Sequence, residues 1–341
     1  MIFTPDPFDE TLSILLMLCL LPFFIVRSFH YLWTRVWFPD EESAASFDSF
    51  YDEFSEYISL VEIRPARTIR LLNFIPSVPS DGKPVLLFIH GSVSRMGHLH
   101  NQIRFCISNN IHVIAFDMLG CGKSEVPFSG DFSLDSHLKD ILAIAERFIP
   151  KTEAKVVLIG HSAGAALAMA AANTIPTTGI ILLAPVAFDD YEKVETFAKR
   201  GFSAPAAFLW LIRPIMVRIL GHRFFCRNVD KKVARLEVYS SSRNPVFMYK
   251  RYYLGMKLTR LITDSPDAKL VLHKPCSTLT VAAAEDGVTP AAGAKRNHEH
   301  LCGFGGTHVF ELIEDAAHGV CVEKPELVNG FIYRFLMKLT N

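Results

Sequence analysis

The stretch KVVLIGHSAGAALAMAAA, residues 155–172, decides the fold class of this chain of 341 residues. Its apolar run at 156–159 is typical of a buried strand, and the alanine-rich run that begins at Ala163 is typical of a helix. Between them lies the G-x-S-x-G sequence GHSAG, residues 160–164. A strand that turns directly into a helix forces the serine into a strained backbone conformation, so its neighbours must be small. Ser162 is therefore the predicted nucleophile.

Short β-type runs alternate with helical segments on both sides of this stretch. The alternation predicts an α/β fold in which helices cover both faces of a mostly parallel, eight-stranded sheet. The strand candidates are residues 61–63, 69–74, 85–89, 112–116, 156–159, 180–183, 278–282 and 309–312. Helices are predicted at 133–149, 163–174 and 325–339. A long helical and basic segment, residues 189–272, is inserted after the sixth strand.

The composition excludes several classes of protein. Lys plus Arg and Asp plus Glu both number 35, and a net charge of zero argues against a nucleic-acid partner. The seven cysteines have no paired spacing, which favours a reducing compartment over a disulfide framework. There is no C-x-x-C sequence, so no structural zinc is expected, and neither a metal nor an organic cofactor is predicted.

The N-terminal segment predicts a membrane anchor. An uncharged run at 11–26 is followed by an aromatic and basic stretch that ends at Pro39. Together they are long enough to enter or cross a bilayer, so residues 1–38 are predicted to be a single-pass or monotopic anchor. A cleaved signal peptide is disfavoured because the leading segment is acidic, and an apolar helix packed on the domain is the other alternative. Arg27 and Arg35 follow the apolar run, so the positive-inside rule predicts a catalytic domain facing the cytosol.

Residues 39–59 are predicted to be an acidic amphipathic linker. Seven acids and no base lie between Asp40 and Glu56, and aromatic residues recur among them at helical spacing. A helix that simply packs on the core is the alternative interpretation.

A serine nucleophile needs a base, and the base needs an acid that orients it. When G-x-S-x-G lies in this context, the acid and then the histidine come later in the chain. Asp286 follows the seventh strand candidate and His318 follows the eighth, so they are the predicted acid and base. Alternatives for the two roles are the acids Glu285, Asp189 and Asp190 and the histidines His308, His298 and His300.

The oxyanion of the tetrahedral intermediate also needs backbone donors. One is predicted to be the amide of Ala163, directly after the nucleophile. The other is expected in the loop that His90 and Gly91 open after the third strand candidate, where Ser92 is the predicted residue.

These features resemble the α/β-hydrolase superfamily, in particular the abhydrolase-domain serine hydrolases that act on lipids and small esters. The resemblance covers about residues 60–339. It rests on His90-Gly91, on D-x-x-G-x-G-x-S at 117–124, on GHSAG at 160–164 and on the neighbourhoods of Asp286 and His318. It implies a hydrolase core of residues 60–188 and 273–341, a helical cap at 189–272 and a structural turn at 117–124.

The chain departs from this family pattern at three places. His90-Gly91 continues as SVSRMG instead of further glycines, and His318 is followed five residues later by Glu323 where some acyltransferases of the group have aspartate. Ser162 excludes the chemistry of relatives that use an aspartate nucleophile.

The sequence predicts a membrane-anchored serine hydrolase that cleaves carboxylic esters, with acylglycerols or lysophospholipids as the favoured substrates. Acyl transfer to a lipid alcohol by the same residues is one alternative. A non-catalytic binding protein at the membrane is another. The oligomeric state is unknown from the sequence.

The inserted segment suggests how a lipid could be reached. Between Asp189 and Lys269 there are sixteen Lys or Arg and eight Asp or Glu. One hypothesis is an apolar ceiling with a basic rim that lies on an anionic leaflet. The alternative is a solvated basic face above apolar residues that pack on the sheet.

Overall fold

A computed structural model describes residues 40–77, 82–151, 155–226, 228–259, 261 and 276–340 of the chain. Eight strands form one sheet in the order β1-β2-β4-β3-β5-β6-β7-β8. The strands are β1 Ile58–Arg64, β2 Arg67–Phe74, β3 Val85–Ile89, β4 Val113–Phe116, β5 Val156–His161, β6 Gly179–Leu183, β7 Ser277–Ala283 and β8 His308–Ile313. The pairs β1–β2 and β2–β4 are antiparallel and the other pairs are parallel.

Helices cover both faces of this sheet. They are α1 Asp40–Glu53, α2 His100–Ser108, α3 Leu134–Phe148, α4 Ala163–Ala172, α5 Tyr191–Phe202, α6 Ala206–Phe224, α7 Lys231–Arg243, α8 Val246–Leu254, α9 Ala291–Leu301, α10 Val320–Glu323 and α11 Pro325–Thr340. All five residues of β3 are buried, so helices must cover both faces of the sheet at this strand. Leu87 packs with α3 and α4 on one side of the sheet, and Phe88 packs with α1, α2 and α11 on the other. The predicted α/β-hydrolase fold and its eight strands are confirmed.

Helix α1 packs on the core. Asp52 and Glu53 are exposed. Phe47, Phe50 and Tyr51, with Phe54 just beyond the helix, are buried in the same cluster as Phe88. The predicted linker at 39–59 therefore contains a core-packed helix and the start of β1.

Among the described residues, the helices α5 to α8 lie between β6 and β7, where the cap was predicted. Within this insertion the Arg213 guanidinium lies 5.3 Å from the ring centroid of Tyr249, and its Nη2 donates to the Ser241 carbonyl at 3.2 Å. This arginine is therefore held within the insertion and does not extend as part of a basic rim.

The predicted membrane localisation is wrong. Among the residues that the structure describes, no helix is both long enough and apolar enough to cross a membrane. The longest of these helices, α6, has 19 residues and contains Arg213, Arg218 and Arg223. Charged residues inside hydrocarbon are costly. The anchor predicted at 1–38 lies outside the described residues.

Candidate active site

Ser162 lies at the turn between β5 and α4. Its backbone angles, φ 54° and ψ −120°, fall in a region that costs about 1–3 kcal/mol for a residue with a side chain. The turn requires glycine on both sides. A Cβ atom on Gly160 would lie 2.3 Å from the carbonyl oxygen of Gly164, and one on Gly164 would lie 2.3 Å from the carbonyl oxygen of Ile89. The G-x-S-x-G sequence thus reflects close backbone packing around the serine.

The structure brings Ser162, His318 and Asp286 together. His318 lies in the loop between β8 and α10, and its Nε2 is 3.0 Å from Ser162 Oγ. Asp286 lies in the turn after β7, and its Oδ2 is 2.8 Å from His318 Nδ1. The carboxylate accepts the Nδ1 proton, so Nε2 carries the lone pair and can accept a proton from the serine hydroxyl. Residues far apart in the chain therefore form the arrangement of a nucleophile, a base and an orienting acid.

Asp286 is held by more than the histidine. Its Oδ1 accepts hydrogen bonds from the amides of Val288 at 2.8 Å and Thr289 at 2.7 Å, and its Oδ2 accepts one from Thr289 Oγ1 at 2.8 Å. Burial raises the pKa of Asp286, but the neighbouring His318 and these hydrogen bonds outweigh it, so the pKa of the carboxyl is lowered. The acid therefore stays ionised beside the imidazole. Thr289 was not identified from the sequence, although an aspartate followed by such a turn is an Asx-turn signal.

The alternative acids lie elsewhere. Glu285 is exposed. Asp189 and Asp190 pair with Arg296, at 2.7 Å and 3.5 Å.

The alternative histidines also form their contacts with residues other than Ser162. His308 lies at the start of β8, where its Nδ1 is 2.8 Å from Thr278 Oγ1. His298 and His300 lie near the C-terminal end of α9, a helix with exposed residues on its outer face.

The loop predicted to hold the oxyanion approaches the nucleophile closely. A Cβ atom on Gly91 would lie 3.2 Å from Ser162 Cβ, a tight contact that glycine avoids. His90 fixes the loop, because its Nδ1 is 2.8 Å from the Gly91 carbonyl and its Nε2 accepts the Met118 amide at 2.9 Å. Ser92 follows, with its hydroxyl 3.1 Å from Tyr252 of α8. Ala163 is the first residue of α4, so its amide has no partner inside the helix.

The turn at 117–124 supports the same loop. Asp117 is buried, and its Oδ1 accepts the Met96 amide at 2.8 Å. Its Oδ2 accepts the Lys123 amide at 2.8 Å and the Tyr51 hydroxyl at 2.7 Å. One carboxylate thus connects this turn, α1 and the segment that follows Ser92.

Glu323 has a structural position in α10. Its Oε1 accepts the amide of Ala317 at 3.1 Å, and its Oε2 accepts the amide of Cys226 at 2.9 Å. The carboxylate therefore joins the loop of His318 to the segment that follows α6, and backbone donors already occupy both of its oxygens.

Aromatic residues of the insertion cover the site. The Phe224 ring lies 4.9 Å from the His318 ring at an interplanar angle of 82°. Phe225 is buried and lies against Gly319, where a Cβ atom would be 2.4 Å from the Phe225 ring. Beneath this cover Ser162 is only 8% exposed and His318 only 2%. The end of α6 therefore packs against the residues beside the serine.

Comparison with known proteins agrees with this architecture. The model of the alpha/beta hydrolase family matches residues 86–331, which is most of the chain, so the protein belongs to that family. It is 24% identical over 271 residues to "Putative esterase/lipase 2" of Mycoplasma genitalium, covering 76% of this chain and 92% of that protein. It is 25% identical to Protein ABHD8 of Mus musculus, covering 80% of this chain and 60% of the longer relative. It is therefore an alpha/beta hydrolase with esterase- and lipase-like relatives.

Among solved structures, the esterase EaEST from Exiguobacterium antarcticum has the same fold. The TM-score is 0.60 at 16% sequence identity, and the match covers 82% of this chain and 98% of the esterase.

Proposed function

We propose that the protein hydrolyses carboxylic esters through an acyl-enzyme intermediate on Ser162. The observation that carries the proposal is the continuous hydrogen-bonded path from Ser162 Oγ through His318 to Asp286, with distances of 3.0 and 2.8 Å. No step needs a metal or an organic cofactor.

In the first step Ser162 Oγ attacks the ester carbonyl while His318 Nε2 takes the hydroxyl proton. Asp286 stabilises the imidazolium that forms. The negative charge on the carbonyl oxygen is held by the amide of Ala163 and by an amide of the Gly91-Ser92 loop, each worth about 3 kcal/mol of transition-state stabilisation.

The tetrahedral intermediate then collapses. His318 donates the proton to the leaving alkoxide, the alcohol departs, and the acyl group remains on the serine. In the second step His318 removes a proton from water, the hydroxide attacks the acyl carbonyl, and Ser162 leaves as the protonated hydroxyl together with the free acid.

The favoured substrates in this proposal are esters with an apolar acyl group, such as acylglycerols or lysophospholipids. Phe224 and Phe225 support this choice, because an acyl chain that enters beside them replaces water on aromatic surface. The esterase and lipase names of the relative from Mycoplasma genitalium are consistent with it.

The test is activity-based labelling with a fluorophosphonate, followed by hydrolysis of p-nitrophenyl esters of increasing chain length. Ser162→Ala should lose all labelling and lower kcat by about 10⁶-fold, since the nucleophile is gone. Ser49→Ala, at an exposed serine of α1, is the matched control and should label like the wild type.

Labelling that persists in Ser162→Ala would contradict the nucleophile assignment. A wild-type protein that is folded but neither labels nor hydrolyses any ester of the series would contradict the enzymatic function. Faster hydrolysis of p-nitrophenyl acetate than of p-nitrophenyl octanoate would contradict the proposed preference for apolar acyl groups.

A further inference from the structure

A second cluster of chemically reactive side chains lies beside the candidate active site. One ring nitrogen each of His98 and His161 and the sulfur of Cys321 all lie within 4.8 Å of one another. The three side chains are 0–1% exposed. His98 lies in the 3-10 turn Met96–Leu99, His161 ends β5, and Cys321 lies in α10. None of them has a part in the proposed ester hydrolysis.

Each histidine uses one ring nitrogen in a hydrogen bond that fixes its tautomer. His98 Nδ1 is 3.0 Å from Glu237 Oε2, and His161 Nε2 is 2.9 Å from the carbonyl oxygen of His318. Both partners accept only, so Nδ1 of His98 and Nε2 of His161 carry the protons. The remaining nitrogens, His98 Nε2 and His161 Nδ1, therefore carry lone pairs.

These two lone pairs are buried without a partner. Neither His98 Nε2 nor His161 Nδ1 has a hydrogen-bond partner within the part of the chain that the structure describes. A buried polar atom left unpaired costs about 1–3 kcal/mol, so such atoms need an explanation.

The surroundings match those of metal-bound histidines. Such histidines donate their second N–H group to a carboxylate or a backbone carbonyl, which orients the ring. Glu237 supplies the carboxylate for His98, and the carbonyl of His318 serves His161. Two neutral imidazoles and one cysteine form a donor set that zinc binds readily.

We propose that His98, His161 and Cys321 bind one zinc ion, or a divalent transition metal ion of similar preference, next to the catalytic serine. Zinc–ligand bonds of about 2.0–2.3 Å place tetrahedral ligand atoms roughly 3.5 Å apart. The present separations of up to 4.8 Å require closure by small side-chain rotations. A water molecule completes the tetrahedron in this proposal.

Metal binding exchanges a proton for the ion. Zinc forms a bond to the thiolate and the proton is released to solvent, which makes the affinity dependent on pH. The thiolate and Glu237 together offset the two positive charges of the ion. Arg95 Nη2 lies 3.8 Å from the other carboxylate oxygen of Glu237 and adds one positive charge on the far side.

The site lies under the same cover as Ser162. The Phe224 ring is 5.8 Å from the His98 ring and 6.3 Å from the His161 ring, and Glu237 belongs to α7 of the insertion. The ion therefore connects the inserted helices to the residue that precedes the nucleophile.

The test is a titration of the full-length, metal-free protein with Co²⁺, which reports thiolate and tetrahedral ligation by absorption, followed by displacement with Zn²⁺. The exposed Cys302 lies 3.7 Å from His298 Nε2 and could bind cobalt at the surface, so every sample carries Cys302→Ser. We expect one ion per chain, a thiolate-to-cobalt charge-transfer band, and zinc that raises the unfolding temperature.

Cys321→Ser should abolish the charge-transfer band, and His98→Gln should weaken cobalt binding at least tenfold. Glu237→Gln should weaken it by about 10-fold through the orientation of His98. Cys106→Ser is the matched control, because Cys106 is an equally buried thiol outside the cluster and should leave the titration unchanged. Circular dichroism establishes that each variant is folded.

A folded Cys302→Ser protein, with no further substitution, that lacks the charge-transfer band overturns the proposal. So does a band that survives in both Cys321→Ser and His98→Gln, or one that Cys106→Ser removes equally. These readouts do not use esterase activity, so they stand apart from the test of Ser162.

Discussion

The hydroxyl of Thr289 contacts three groups at the candidate active site, namely two acceptors and the N–H donor of His318. Its Oγ1 lies 2.8 Å from Asp286 Oδ2, 3.0 Å from His318 Nδ1 and 3.1 Å from the carbonyl of Ala184. The single hydroxyl proton can go to only one of the two acceptors at a time, and the hydroxyl oxygen can accept from His318 Nδ1. Thr289 therefore restrains the carboxylate and the imidazole together. It is a positioning residue for the acid and does not touch the reacting atoms.

Thr289→Val should therefore lower kcat by about 10-fold while KM changes little, because the acid loses a hydrogen bond and substrate contacts remain. Thr289→Ser retains the hydroxyl and should restore most of the rate. Steady-state kinetics on one p-nitrophenyl ester measures both. An increase in KM with unchanged kcat, or a serine variant as slow as valine, would refute the positioning role.

Gly164 has no room for a side chain. Its Cβ atom would lie 2.3 Å from the carbonyl oxygen of Ile89 and 2.5 Å from that of His90, both backbone atoms that cannot rotate away. Gly164→Ala should destabilise the fold by about 1–3 kcal/mol and reduce activity by shifting the turn around Ser162. Urea denaturation measures the loss.

Gly201→Ala is the control for this substitution. Nothing lies within 4 Å of its Cβ position, and Gly201 is inside α5, so alanine should stabilise by roughly 0.5–1 kcal/mol through helix propensity. Equal changes in the free energy of unfolding at both glycines would show that the close packing at Gly164 does not contribute to stability.

The small residues around Ser162 could be predicted from sequence because they follow from the local strand-to-helix turn. Thr289 could not, since its hydroxyl gains its role only when β6, β7 and the loop after β8 meet. The same limit applies to the zinc-binding cluster proposed for His98, His161 and Cys321. Its ligands come from three distant segments with no characteristic spacing, and the sequence alone suggested no metal.

At the scale of elements, Asp140 joins the β1–β2 hairpin to α3. Its Oδ1 accepts hydrogen bonds from Arg64 Nε at 2.8 Å and from Arg67 Nε at 2.7 Å. The side chains of Asp140 and Arg67 are 1% and 7% exposed, so the pair is largely shielded from water.

Asp140→Asn should cost about 3–5 kcal/mol, because it leaves the buried Arg67 without its counter-charge. Asp48→Asn breaks the exposed ion pair with Lys123 and should cost at most about 1 kcal/mol. Urea denaturation of the two variants compares them directly. A loss at Asp140 no larger than that at Asp48 would contradict the role given to the buried pair.

Strand positions were predicted well, because buried strands in such a sheet are short apolar runs between turns. The clearest difference is β1, which begins at Ile58 and not at residue 61. Ile58 pairs with Leu72 of β2, and this pairing extends the strand into the segment that was predicted to be a linker. The breaks between α5, α6, α7 and α8 were also missed, since the whole insertion has helical composition.

For the whole molecule, Asp140 also sets part of the response to acid. Burial raises the pKa of Asp140, but nearby His137 and the Arg67 guanidinium lower it more, to about 2. His137 Nδ1 is 3.7 Å from the carboxylate, beyond hydrogen-bond length, so the arginine contacts account for most of the shift.

Because the pKa is depressed in the folded state, this stabilisation is present above the ordinary value of 3.8 and is lost as the pH falls toward about 2. The free energy of unfolding of the wild type should fall over that interval more steeply than that of Asp140→Asn. Urea denaturation at about pH 4, pH 3 and pH 2, conditions that span those two pKa values, gives the two curves. Parallel curves would remove Asp140 from the acid response.

The assembly of the candidate active site has a consequence for biosynthesis. Ser162 is separated from His318 by 156 residues, and both of its partners follow the inserted helices. Domains fold as units, and synthesis at about 5–20 residues per second delivers the nucleophile first. A nascent chain that has left the ribosome only as far as α4 therefore holds a serine without a base. Translation that stops inside the insertion yields a chain that lacks both His318 and Asp286.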